Sequence, residues 1–291
     1  MSKNLVELLA QKWKSYRHRF VPWIALNLQK NQRTLRQVKH QSEDKRISDD
    51  QVLATLVHLF TALLKNDASN QSKKLRLLPT SYQPMNHITH NAEAQGLKVP
   101  PTDTMLQVLG FCVEKMPSSL ESAGTGVFVT QGLVPKGVTV AMYPGTVYQA
   151  DNPILIQSIR NPFVFRCIDG VLIDGNDKGL SKLVFRSCSG RDQLGPFCLC
   201  DSSWLTSHPE NPLAMGQYVN NCSNEKAANV CYQEFDVPND FPLELRQYLP
   251  NANYSITIQR KLRCVVLVSL RAINKGEELL SNYYTIVKNV L

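Results

Sequence analysis

The sequence predicts a mainly β domain preceded by a helical N-terminal region. Three observations lead there. From Val127 onward, short apolar runs alternate with turn-forming residues. Before them stands one long amphipathic helix. Between the two, Asn66 to Thr104 is polar and proline-punctuated, with few periodic apolar positions, and is expected to be a loop or linker.

Each element has its own signal. Residues 5–20 place Leu5, Leu8, Leu9, Lys12, Trp13, Tyr16 and Arg19 at helical spacing. That pattern fits a basic helix packed on the domain, a surface for nucleic acid or lipid, or a mitochondrial transit peptide. Glu7 and the scarcity of Ser count against the transit peptide. Nucleic-acid contact through this segment is not expected, because aromatics interleave with the bases only at Trp13, Tyr16 and Phe20. Residues 48–65 are the clearest helix. Ser48 with Gln51 fits a capping box, and Asp49 and Asp50 suit the positive helix start. Val52, Leu53, Leu56, Val57, Phe60, Leu63 and Leu64 form one apolar face. The expected strands are 126–130, 138–143, 163–168, 171–173, 230–235, 265–270 and 278–283. Asp169-Gly170 reads as a two-residue hairpin turn.

Composition narrows the class. A chain of 291 residues, 43% hydrophobic, can bury one large domain or a domain with an extension. No apolar run reaches membrane-spanning length, and the start lacks a secretory pattern, so the expected location is intracellular, nuclear or cytosolic. Residues 1–46 carry 11 Lys/Arg against 3 Asp/Glu, which equals the whole net charge of +8. An anionic partner would therefore meet the N-terminus. The 8 cysteines form no CxxC pair. They fit free thiols in a reducing compartment, or a zinc site built from Cys188, Cys198 and Cys200 with a distant ligand. No metal is expected in the functional site.

The chemistry-bearing stretches lie in the β region. Ser122-Ala-Gly124-Thr125-Gly126 precedes its first strand, and glycines there let a ligand approach the backbone. Val134-Pro-Lys-Gly-Val and Met142-Tyr143-Pro-Gly follow. Phe165-Arg-Cys-Ile-Asp-Gly-Val-Leu-Ile-Asp174 comes next, then about 40 residues rich in Gly, Ser, Pro and Arg, read as a long loop that is either functional or disordered. Gln217-Tyr-Val-Asn220-Asn221 places two amides after an apolar pair. Leu270-Arg-Ala-Ile-Asn-Lys-Gly-Glu-Glu-Leu-Leu-Ser-Asn-Tyr283 is a strand, a turn and a strand ending in tyrosine.

In this order and spacing the motifs resemble the SET domain, the fold of most protein lysine methyltransferases. The resemblance covers about residues 119–286, leaving 1–118 as a helical N-terminal region with linker. It implies small antiparallel sheets with a knot-like threading of the 217–231 segment against the C-terminal strand. It implies S-adenosyl-L-methionine as cofactor, held by Gly124, Thr125, Gly126, Asn220, Asn221 and Tyr283. It also implies a protein lysine as substrate, with Tyr283 at the transferring methyl group and Tyr143 lining the lysine channel. Asn221 stands where the family has histidine, Ser281 where it has an aromatic residue, and Asn282 where it has Asp. No cysteine-rich module follows Tyr283, so the channel lid is expected from the 175–215 or 237–262 segments, the N-terminal helices, or another molecule. The alternative is a SET fold that binds a partner without catalysing.

Overall fold

A computed structural model describes residues 16–18, 35–38, 45–67, 99–121, 123–159, 161–194, 197–223, 225–255, 261–282 and 284–287. The first elements are two short strands, β1 (Tyr16–His18) and β2 (Leu35–Val38). They flank Tyr284–Val287, β1 antiparallel and β2 parallel to it. The helix expected over 5–20 is corrected at its end, where Tyr16–His18 is a strand, and its first eleven residues lie outside the described ones. Helical spacing is a local preference, and pairing with a distant strand overrides it.

Helix α1 (Asp49–Asn66) begins as its sequence dictates. Ser48 and Gln51 bond reciprocally, and Val52, Leu56, Leu59, Phe60 and Leu63 are buried on one face. Its start is tied down by Gln233, which accepts from Arg46 N at 2.8 Å and donates to Ile47 O at 2.8 Å. The expected loop up to Thr104 gives way to α2 (Pro101–Leu109), which buries Thr104 and Met105. Pro101 at the first turn and Gly110 after the last mark this helix, and both residues also read as loop signals.

Strand β3 (Phe111–Pro117) pairs along its length with β4 (Thr125–Gly132). The next elements are β5 (Thr139–Tyr143), β6 (Gly145–Tyr148), the one-turn α3 (Leu155–Ser158), β7 (Val164–Arg166) and β8 (Leu172–Asp174). The β7–β8 turn differs from expectation. Cys167 N donates to Val171 O, leaving Ile168 to Gly170 as a three-residue loop. Gly170 closes it at φ 91, the left-handed conformation that such a loop requires.

The long loop expected from 175 to 215 is also corrected. It contains α4 (Gly179–Arg191), the short pair β9 (Gln193–Leu194) and β10 (Phe197–Cys198), and a 3-10 turn at Ser203–Leu205, and a second 3-10 turn at Gly216–Tyr218 follows it directly. Its glycines and serines gave α4 little helical signal. What holds it is packing, with Phe185 against Trp204 at 5.0 Å between ring centroids.

The remaining strands are β11 (Asn220–Asn221), β12 (Val230–Asp236), β13 (Asn251–Asn253), β14 (Arg263–Ser269), β15 (Leu280–Ser281) and β16 (Tyr284–Val287). The central sheet runs β11-β15-β12-β14-β5. Consecutive strands β11 and β12 therefore lie on either side of β15, both parallel to it. The 222–229 connection must cross the C-terminal strand, which is the expected knot-like threading. Val140, Met142 and Val265 to Val268 fill the core together with Leu56 and Phe60 of α1.

Candidate functional site

The threading brings four segments distant in sequence to one place. Its centre is Glu278, 6% exposed. Ser118 Oγ donates to Glu278 Oε1 at 2.7 Å, and Asn220 Nδ2 donates to the same oxygen at 3.1 Å. Ser119 donates to Oε2 through its backbone N–H at 2.9 Å and through its hydroxyl. Lys226 Nζ reaches that hydroxyl at 2.7 Å from the crossing loop. Burial works to raise the Glu278 carboxyl, but the bonds from Ser119, Ser118 and Asn220 outweigh it and hold it below the ordinary value. The group is an ionised carboxylate at neutral pH.

Gly126 has a reason to be glycine. A Cβ there would stand 2.2 Å from Glu278 Oε1, so any side chain would push the carboxylate out of place. Gly124 and Thr125 are exposed, and Gly124 O accepts from Ser118 N at 2.7 Å, closing the turn. Asn220 spans this turn and the carboxylate. Its Nδ2 donates to Thr125 O at 3.0 Å as well as to Glu278. Both amide hydrogens are thus used, and Oδ1, an acceptor, is the edge left for a ligand.

Asn221 is partly buried beside it, in register with Ser281 across the β11–β15 pair. The pair is locked from the other side by Asn229, 2% exposed. Asn229 Nδ2 donates to Glu278 O at 2.8 Å, and Leu280 N donates to Asn229 Oδ1 at 2.8 Å.

Comparison with known proteins fits this architecture. The chain is 60% identical over 298 aligned positions to SET domain-containing protein 9 of Homo sapiens, covering 99% of this chain and 100% of that protein. The protein of the same description from Pongo abelii is 60% identical over 265 positions, covering 87% and 97%. The chain belongs to the SET-domain family. No family model matches it. Solved structures with some likeness include ctPRC2 in an autoinhibited conformation bound to S-adenosylmethionine, at 14% identity and a TM-score of 0.32. The Chaetomium thermophilum polycomb repressive complex 2 is similar at 15% identity and a TM-score of 0.31. The chain spans 15% of the length of each and overlaps them over 60% and 59% of its own. Among the described residues no helix is long and apolar enough to cross a membrane.

Of the family's expected site residues, Gly124, Thr125, Gly126, Asn220 and Asn221 come together. Tyr283 lies outside the described residues. Tyr143 is fully buried, its hydroxyl donating to Phe163 O at 2.7 Å and its ring 5.5 Å from that of Phe165. Ser281 is fully buried too, with no hydrogen-bond partner for its hydroxyl among the described residues. Enclosed in this way, it leaves no room for an added ring without repacking. Sequence reasoning missed Glu278, although it stands inside the Gly276-Glu-Glu-Leu turn. The available signal was an acid at the head of the expected 278–283 strand, directly before Leu279 and Leu280.

Another cluster, among the described residues, is structural. Cys167, Asp169 and Glu234 bring one ligand atom each within 4.8 Å of one another, the geometry of a metal site. Arg263 already occupies that cluster, bonded to Glu234 at 2.7 Å, Asp169 at 2.9 Å and Asp236 at 2.6 Å. Among the described residues Cys188, Cys198 and Cys200 do not converge as a metal-holding group.

Proposed function

We propose that the chain transfers a methyl group from S-adenosyl-L-methionine to a lysine side chain of a protein. The observation that supports this reading is the Asn220 amide, whose nitrogen is taken up by Thr125 O and Glu278 beside the Gly124–Gly126 turn, which leaves its carbonyl oxygen as the edge for a ligand. An amide acceptor backed by an ionised carboxylate fits a ligand bearing an ammonium group, which the amino-acid end of this cofactor has. The exposed backbone of Gly124 and Thr125 offers a surface for the rest of that end. When bound, the cofactor supplies an electrophilic sulfonium methyl.

The chain's own task is then alignment and exclusion of water. A lysine amine carries a proton at neutral pH and must lose it to attack, so a dry channel that disfavours the ammonium form promotes the reaction. In this reading the Tyr283 hydroxyl orients the amine, and Tyr143 forms part of the wall behind it. Replacing Tyr283→Phe is expected to keep cofactor affinity within a few-fold and to lower turnover by about 100-fold. Transfer of labelled methyl to peptide substrates tests this, and equal turnover would remove Tyr283 from the reaction.

A second reading is a SET fold that binds a partner without catalysing. The engaged hydroxyl of Tyr143, bonded to Phe163 O, favours it, since that group is not free for a substrate. Cofactor binding without turnover on any lysine peptide would select this reading.

A further inference from the structure

We propose that Glu278 is a positioning residue of the cofactor site, fixing which edge of the Asn220 amide faces the ligand and fastening the Gly124–Gly126 turn beside it. The inference rests on the cofactor reading above and adds a residue that the family motifs alone did not assign to the site.

Glu278 receives four hydrogen bonds, two on each oxygen. Two of the donors are hydroxyls, Ser118 and Ser119, which can rotate to donate or to accept. The other two cannot. The Ser119 backbone N–H and the Asn220 amide nitrogen only donate, and they face different oxygens of the carboxylate. A carboxylate satisfies both. A glutamine of the same shape offers one oxygen, and whichever way it turns, its amide nitrogen faces one of the two obligate donors. If that donor is Asn220, the amide must move or flip. Flipping places Oδ1 against the Thr125 carbonyl, acceptor against acceptor, and turns the NH2 group outward. A ligand ammonium would then meet two donors where it needs an acceptor.

Packing enforces the same arrangement. The absence of a Cβ at Gly126 is what admits Glu278 Oε1 to this position. Asn229 holds the Glu278 backbone carbonyl, so the carboxylate is anchored at both ends of its own residue. Lys226, through the Ser119 hydroxyl, extends the network to the surface of the crossing loop.

The test uses the full chain and two probes, S-adenosylhomocysteine and its analogue lacking the α-amino group, measured by calorimetry. Wild type is expected to lose about tenfold in affinity when the amine is removed. In Glu278→Gln the affinity for the amino-bearing probe should fall about tenfold, and the difference between the two probes should shrink below about threefold. The circular dichroism spectrum should be unchanged. A merely structural role would lower the melting point and leave discrimination between the probes intact, and that result overturns the proposal. Should Glu278→Gln not fold, Glu278→Asp, which draws both carboxylate oxygens back by one carbon from Asn220 Nδ2 and Ser119 N, is expected to shift discrimination the same way by a smaller factor. Wild-type discrimination in that variant also overturns the proposal. A folded wild type that binds neither probe fails at the earlier step and overturns the cofactor reading itself.

Discussion

Asn229 and Glu278, 49 residues apart, meet under the strand crossing, where the Asn229 amide donates to the Glu278 carbonyl at 2.8 Å. The same side chain accepts from Leu280 N at 2.8 Å, and its backbone N–H donates to Leu280 O at 2.9 Å. One buried residue thereby joins the crossing loop to the strand it crosses.

Asn229→Leu leaves a buried carbonyl and a buried N–H without partners. Each costs about 1–3 kcal/mol, so a loss of about 2–6 kcal/mol is expected. Urea unfolding of the variant measures it, and a loss below about 1 kcal/mol would mean that the clamp is replaced by water or by neighbouring groups.

The second prediction concerns pH. Asp201 is 3% exposed and its Oδ2 has no partner among the described residues. Burial pushes its carboxyl from 3.8 up to about 7, against hydrogen bonds from Ser203. A folded-state pKa above the unfolded one means the folded protein holds the proton more tightly. This contribution is complete below about pH 4 and is lost as pH rises to about 7, by at most about 4 kcal/mol. Asp201→Asn should flatten that part of the stability profile and gain on wild type as pH rises from 5 to 8. Parallel profiles for the two proteins would contradict it.

The sequence carried the parts of the fold whose causes are local. Ser48 and Gln51 announced the start of α1, and the Gly124–Gly126 turn, Asn220 and the Lys275-Gly276 turn lay in the right order for the site. It did not carry α4, because Gly179, Ser181, Ser189 and Gly190 are weak helix formers held by the contact of Phe185 with Trp204. Nor did it carry β1, whose partner lies more than 260 residues onward. Glu278 was visible as a residue but not as a hub, since its donors Ser118 and Ser119 come from 160 and 159 residues earlier. Long-range partners leave no local trace.

The third prediction concerns the N-terminus. β1 and β2 bond to both edges of β16, the strand that directly follows Tyr283. Deleting residues 1–44 bares those edges while keeping Ser48 and the Gln233 contacts. The melting temperature should fall by about 3 °C or more. An unchanged melt would show that the three-stranded sheet adds nothing to stability.

The central claim is that Asn220, oriented by Thr125 and Glu278, belongs to a cofactor site. Calorimetry of the purified full chain with S-adenosyl-L-methionine tests it most directly. Binding is expected near the micromolar range, about −8 kcal/mol, and is expected to be lost in Asn220→Ala. A folded wild type that takes up no ligand, or an Asn220→Ala variant that binds as tightly as wild type, would contradict it.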